Sequence, residues 1–205
     1  MKLHDALAPN AWRVQAFLAE KGIGLLRVPH DVMTEEVWSP EFRKLNSLGE
    51  VPLLELDDGT LITESIAICR YLESLYPDPP LFGATPLEEA KIEMWNRRME
   101  QQIFGPCAQI GLHMIPFFAD KIEQMPGYAA SQRRLLENKW QWLNTEMADR
   151  RSFIAGDEFS VADITAAAAL IICGFMELSI PNDCANVARW SDAMQECPSW
   201  ALWKM

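Results

Sequence analysis

Hydrophobic and polar positions along this chain follow one rhythm up to about residue 78 and another from about residue 87. In the first stretch the apolar runs are short. Met1 to Leu7 reads as a strand and ends at the Pro9-Asn10 turn. Val14, Phe17 and Leu18 fall at helical spacing before Lys21-Gly22, where a glycine stops the helix. Leu25 to Val28 reads as a second strand. A polar connection with Trp38, Pro40, Phe42 and Leu45 follows, with room for a short helix. Leu53 to Leu56 and Leu61-Ile62 then flank Asp57-Asp58-Gly59, whose residues tolerate left-handed backbone, so the pair is expected as a hairpin. Ile66, Ala67, Cys69, Tyr71 and Leu72 close this stretch as a helix, with Thr63 or Glu64 able to cap it.

The order β-α-β-α-β-β-α is the thioredoxin-like arrangement, a mixed sheet with crossover helices. Tyr76-Pro77-Asp78-Pro79-Pro80 breaks the last helix, and Gly83 and Pro86 prolong the interruption. Beyond Leu87 no strand pattern is evident. Glu88 to Phe104 is predicted helical on Ile92, Trp95, Met99 and Ile103; Gly105-Pro106 should kink or break it before helix resumes to Phe118. Ala129 to Met147 is expected as a helix with Leu135, Leu136, Trp140 and Leu143 inward. Ser160-Val161-Ala162-Asp163 has capping-box spacing, with Asp in the usual Glu/Gln place. The run from there to Phe175 is apolar almost all round, as a buried central helix should be. The expected fold class is therefore α/β plus all-α: residues 1–78 a thioredoxin-like domain, 79–86 a linker, and 87–205 an all-helical domain.

Charge and composition narrow the function classes. A net charge of -11 disfavours nucleic acid and anionic membrane as partners, since phosphate contacts need clustered Lys and Arg. No apolar run reaches membrane-spanning length and the N-terminal residues do not form a signal peptide. The five cysteines are scattered without a CxxC, and His4, His30 and His113 lack metal-ligand spacing. No metal is expected, and the setting is expected to be reducing and cytoplasmic.

The chemistry concentrates between Gly49 and Leu72. The first N–H groups of the helix after Thr63-Glu64-Ser65 have no partners within that helix. Together with the Ser65 hydroxyl and the positive end of the helix dipole they suit a carboxylate, while neighbouring Glu64 suits an ammonium group. An amino-acid head group carries both. Pro52 donates no ladder hydrogen bond and belongs at a strand's start; were the Val51-Pro52 bond cis, Val51 would offer its N–H and C=O to an extended peptide. This Val-Pro, strand, Asp-Asp-Gly-Thr, strand, Thr-Glu-Ser, helix succession resembles the glutathione site of soluble, bacterial-type glutathione S-transferases. Those enzymes also carry a Ser-x-x-Asp box at the start of a core helix, as Ser160 to Asp163 do here. The resemblance spans essentially the whole chain. It implies that Val51, preceding a cis Pro52, pairs with the cysteinyl backbone of glutathione, and that Glu64 and Ser65 hold its γ-glutamyl head.

In such enzymes a Tyr, Ser or Cys at the start of the first helix holds the glutathione sulfur. Aligned on their Ser-Pro-x-x-x-Arg-Val pattern, that place is Ala8, which has no donor. Asn10 supplies two amide N–H donors nearby, as in bacterial members that use an Asn there, and is the candidate catalytic residue; the alternative is that Asn10 caps the helix. Arg13 could raise the local potential or lie on the helix's outer face. For the glycyl carboxylate, Glu50 has the wrong charge and Trp38 fills the usual upstream place, leaving Arg43 or Lys44 as substitutes. Trp95, Met99, Phe104, Met114 or Phe117 could line an electrophile pocket between the domains or be core. The resemblance implies a homodimeric glutathione transferase, with glutathione as co-substrate, conjugating small apolar electrophiles. Alternatives are a glutathione-dependent disulfide reductase and a non-catalytic binding or regulatory protein of the same fold.

Overall fold

The computed structural model describes residues 1–34 and 36–204. They fall into two compact units, Met1–Pro80 with the chain from Cys197 onward, and Leu81–Glu196.

In the first unit β1 (Lys2–Asp5), β2 (Leu26–Pro29), β3 (Leu53–Glu55) and β4 (Leu61–Thr63) form one sheet in the order β2-β1-β3-β4. β1 runs parallel to β2 and antiparallel to β3, and β3 is antiparallel to β4. This is the thioredoxin-like arrangement that the apolar rhythm predicts. Helices α1 (Pro9–Glu20) and α2 (Ser65–Leu75) bury Ala11, Val14 and Phe17, and Ile68, Cys69 and Leu72, while Leu3, Leu53 and Leu54 are buried from the strands. Val14, Phe17, Ile68, Leu72 and the three strand leucines each contribute roughly 1.5–3 kcal/mol on leaving water. The helix expected between β2 and β3 is replaced by two 3-10 turns, Glu36–Trp38 and Phe42–Lys44. Between them, Ser39-Pro40 denies the chain a continuous backbone ladder. The closing 3-10 segment, Pro198–Lys204, groups with this unit and not with the helical one to which its position in sequence assigned it. Trp200 meets Trp12 edge-on at 6.3 Å, and the Ser199 N–H donates to Glu20 Oε1 at 2.9 Å.

The second unit is helical among its described residues: α3 (Pro86–Met99), a π-helical turn (Glu100–Phe104), α4 (Gly105–Met114), α5 (Pro126–Glu146), α6 (Val161–Phe175) and α7 (Ala185–Gln195). Thr85 and Glu88 form a capping box at the head of α3. Gly105-Pro106 does not break the helix. The Gly105 N–H reaches back five residues to Glu100 O, and the widened π turn carries the chain past a proline that has no N–H to give. A Cβ at Gly105 would sit 3.1 Å from that same carbonyl oxygen, so the residue suits the turn. On α5, Leu136, Trp140 and Leu143 are buried as predicted, but Leu135 is 41% exposed. The buried stripe runs 136, 140, 143, and Leu135 lies one residue, about 100°, off it. At the head of α6 the buried Asp163 carboxylate accepts from the Ile154 N–H (2.7 Å), the Ser160 N–H (2.9 Å), the Ser160 hydroxyl (2.9 Å) and Trp190 Nε1 (2.9 Å). Burial nevertheless pushes its pKa up to about 6, since desolvation outweighs the four donors.

Candidate functional site

Strand register brings the distant parts of the candidate site to one edge of the sheet. Leu53 pairs with Thr63 across β3 and β4, and His4 pairs with Leu53 across β1 and β3. Continued two residues beyond the last pair, the antiparallel register sets Val51 level with both Ser65 and Ala6. The chain leaves β1 at that edge and enters α1 at Pro9. Val51 packs in a small cluster with Ala6, Val37 and Phe42, against which Ala8, Trp38 and Leu45 also lie. The loop opening α1 and the loop opening β3 are thus neighbours.

The Val51-Pro52 bond is cis. Among the described residues Val51 makes no backbone hydrogen bond outside the sheet ladder, which begins only at Leu53. Gly49 shapes its approach. It has φ +69°, and a Cβ there would lie 2.7 Å from Val37 O and 2.9 Å from Trp38 Cδ1, so neither the conformation nor the space admits another residue. The buried Asn46 secures the same turn, its Nδ2 donating to Glu50 O at 2.7 Å and its Oδ1 accepting from the Leu48 N–H at 3.1 Å.

Ser65 is the first residue of α2 and is 5% exposed. Neither Thr63 nor Glu64 caps the helix with its side chain, contrary to expectation. Glu64 instead occupies the cap position with φ 67° and ψ 117°. For a residue with a Cβ this backbone conformation costs about 1–3 kcal/mol, and such strain collects where a site demands it. The first backbone bond of the helix runs from the Ile68 N–H to Glu64 O, leaving the earlier N–H groups of α2 to an outside acceptor. Glu50 has its carboxyl pushed up by desolvation and by the charge of Glu64, which marks an electronegative neighbourhood around these two residues.

At α1 the cap position belongs to Ala8, extended at φ -148° and without a side-chain cap, with Pro9 next. Asn10 therefore lies one residue inside the helix and is not its cap, which overturns that alternative. Its side chain is exposed, and Oδ1 accepts from Arg13 Nη1 at 3.3 Å. A guanidinium only donates, so this bond fixes the carboxamide with its oxygen toward Arg13 and leaves the NH₂ donors for another acceptor. Arg13 itself is 2% exposed and not on an outer face. Arg43 is exposed, and its Nε lies 3.6 Å from where a Gly49 Cβ would be, on the rim of the turn that leads to Val51. In the helical unit Trp95, Met99 and Phe104 are buried, while Met114 is 44% exposed. Trp95 stacks on Trp142 and receives Arg98 and Arg151 on its ring at 4.8 and 4.6 Å, a structural cation-π arrangement. Among the described residues no group of three or more His, Cys, Asp or Glu could hold a metal ion.

The signals missed in the sequence are Glu64's positive φ, which Thr-Glu-Ser does not advertise, and the Asn10–Arg13 bond, whose i,i+3 spacing could have suggested it.

Comparison with known proteins agrees with this fold. Residues 8–75 match the family model for the glutathione S-transferase N-terminal domain, and residues 118–193 that for the C-terminal domain. The chain is 36% identical over 204 residues to glutathione S-transferase 2 of Saccharomyces cerevisiae, covering 97% of this chain and 87% of that one. The crystal structure of Gtt2 from the same yeast superposes with a TM-score of 0.92 at 35% identity, over 99% of this chain and all (100%) of that chain. A class Gtt2 glutathione S-transferase of Vibrio parahaemolyticus gives a TM-score of 0.84 at 32% identity, over 98% and 95% of the two chains. The chain belongs to the glutathione S-transferase family of enzymes.

Proposed function

We propose that this enzyme binds glutathione along Val51 and activates its thiol for attack on a small apolar electrophile. The observation that supports the proposal is the pairing of Leu53 with Thr63, which, carried two residues further, sets Val51 opposite Ser65 at the end of the sheet from which α1 also begins. On this reading Val51 exchanges backbone hydrogen bonds with the cysteinyl residue, and Pro52 directly precedes β3, where no ladder N–H is needed. Ser65 and the free N–H groups of α2 receive the γ-glutamyl carboxylate, while Glu64 receives the ammonium. Arg43, on the rim beside Gly49, receives the glycyl carboxylate on this reading, a role for which Glu50 has the wrong sign.

The sulfur faces the Asn10 amide. A thiol with pKa near 8.5 is mostly protonated at neutral pH, and two N–H donors aimed at the sulfur favour the thiolate over the thiol. The proton leaves to solvent. The thiolate then forms the carbon–sulfur bond as the electrophile's leaving group departs with its electron pair. Residues 1–78 form the glutathione-binding domain, followed by the 79–86 linker and the helical domain. The enzyme acts as a homodimer in the cytoplasm. The exposed Leu87 and Met94 of α3 and Leu135 of α5 supply apolar area for self-association, and the five free cysteines suit a reducing compartment.

Turnover with glutathione and a chloronitrobenzene acceptor tests this directly. Conjugation that falls at least about tenfold in Asn10→Ala, with thermal stability changed by less than about 0.5 kcal/mol, supports the assignment. Equal loss of activity and stability would reduce Asn10 to a structural residue. Activity confined to hydroxyethyl disulfide would replace conjugation by disulfide reduction.

A further inference from the structure

The β2–β3 connection carries most of the surroundings of Val51, and a row of ionisable side chains ties it to the sheet. Lys2 Nζ donates to Glu55 Oε1 at 2.8 Å, and Glu55 Oε2 lies 3.1 Å from His4 Nε2. His4 Nδ1 is 2.9 Å from His30 Nε2, and His30 Nδ1 is 2.6 Å from Glu36 Oε1. Glu36 Oε2 finally accepts the Asp31 N–H at 3.2 Å. The row passes from β3 through β1 to the end of β2 and into the first 3-10 turn. His4 is 6% exposed and the His30 side chain 9%, so water has little access to either ring. Asp5, the next residue on β1, pairs instead with Arg27 and Gln15, as alternation along a strand requires.

Hydrogen counting singles out one protonation state. The two imidazoles make three contacts through four ring nitrogens: one to each carboxylate and one to each other. A carboxylate only accepts, so His4 Nε2 and His30 Nδ1 must both carry hydrogen. The bond between the rings needs a single further hydrogen, on either of the two facing nitrogens. All three contacts are satisfied with three ring hydrogens, that is, with one positive charge shared by the pair between two carboxylates. A fourth hydrogen sets N–H against N–H at 2.9 Å, and the ring-to-ring bond is lost.

What that bond holds is next to the glutathione site. The His30 ring meets Phe42 edge-on at 4.9 Å, and Glu36 is followed by Val37. Phe42 and Val37 form the buried cluster with Ala6 and Val51. Val37 O and Trp38 enclose Gly49, two residues before Val51. We propose that the His4–His30 pair is an acid-sensitive latch that holds the β2–β3 connection, and with it the Val51 turn, in its glutathione-receiving form. Acid adds the fourth hydrogen, separates His30 from His4, and loosens the two 3-10 turns that shape the turn before Val51. Among the described residues, the charged groups facing the pair are Glu55 and Lys2 on the strands and Glu36 on the turn; Phe42, on the second turn, is uncharged. Glu36 keeps its carboxyl below the usual range through its bond to His30.

The latch rests on the glutathione reading for its consequence but not for its existence, and two measurements keep them apart. Amide exchange of residues 36–48 in the unliganded enzyme, each rate divided by the intrinsic rate of an unfolded amide at the same pH, is compared at pH 7.5 and pH 5.5, within the range in which imidazole changes charge, about pH 5–8. Exchange should quicken at least about tenfold at the lower pH in the wild type, a 1.4 kcal/mol change in local opening. His30→Gln, which does not titrate, should show the same exchange at both pH values, as should His4→Gln if the first variant folds poorly. Glutathione dissociation constants at the same two pH values should weaken in the wild type by a factor at least about threefold larger than in the variant. The subtraction removes the protonation of Glu50, which both proteins share. Exchange in the wild type that ignores pH, or that changes equally in the Gln variants, overturns the latch. Responsive exchange with no glutathione binding at either pH leaves the latch standing and removes the glutathione reading instead.

Discussion

Replacing Asp163 by Asn tests the electrostatics of the helical unit where they are most exposed to measurement. In the native protein Oδ2 accepts from both the N–H and the hydroxyl of Ser160, and Oδ1 accepts from the Ile154 N–H and Trp190 Nε1. An Asn carbonyl oxygen can keep the second pair of donors. Its NH₂ then faces the Ser160 N–H, donor against donor, although the hydroxyl can turn to accept. One buried N–H is left unsatisfied, which costs about 1–3 kcal/mol, so a loss near 2 kcal/mol is expected at pH 7.5. The pH dependence supplies the sharper check. Burial raises the Asp163 carboxyl to about 6 in the folded protein, whereas an unfolded Asp titrates near 3.9. Between those values the native state binds the extra proton, so this residue's contribution to stability falls as pH rises through about 4 to 6. Asn does not titrate. The gap between wild type and Asp163→Asn should therefore be wider at pH 5 than at pH 7.5, by about 1 kcal/mol. Denaturant melts of both proteins at both pH values measure it. A gap that widens with rising pH would mean that the four donors outweigh desolvation and that the carboxyl is depressed. No gap at all would mean that the network is not formed.

Other substitutions probe the sheet unit. Ser65→Ala should weaken glutathione binding by about 1–3 kcal/mol, read by calorimetry, if the hydroxyl meets a buried carboxylate; an unchanged dissociation constant refutes that placement. Gly49→Ala combines a left-handed backbone with a Cβ 2.7 Å from Val37 O, and should destabilise the fold by roughly 2 kcal/mol or more. A denaturation midpoint equal to wild type would show that the turn adapts. Arg43→Gln should weaken glutathione several-fold while leaving an analogue without the glycyl carboxylate unaffected, at about 1 kcal/mol for an exposed ion pair. Equal weakening of both ligands would move Arg43 out of that role.

The sheet, its helices and the hairpin were legible because each rests on local signals: short apolar runs, Asp57-Asp58-Gly59, and the glycine closing α1. The Ser160 box was legible for the same reason, since cap and acceptor lie three residues apart. The π turn was not, because proline announces only that an ordinary α turn cannot continue, and says nothing of a wider one. Leu135 was misjudged because adjacent leucines leave the inward face ambiguous until Trp140 and Leu143 are packed. The candidate site was readable as residue types at Val51, Pro52, Glu64 and Ser65. The strain at Glu64, the burial of Arg13 and the orientation of Asn10 emerge only when the elements are assembled. The His4–His30 row was invisible because its members are spread from residue 2 to residue 55, and only strand pairing draws them together.

Amide chemical-shift mapping with unlabelled glutathione added to the ¹⁵N-labelled enzyme tests the central claim most directly. Val51, Glu64, Ser65, Ile66 and the Asn10 side-chain NH₂ should shift together, saturably and with one dissociation constant. Shifts confined to other residues, or none at millimolar glutathione, would contradict a tripeptide lying between the start of β3 and the first turn of α2.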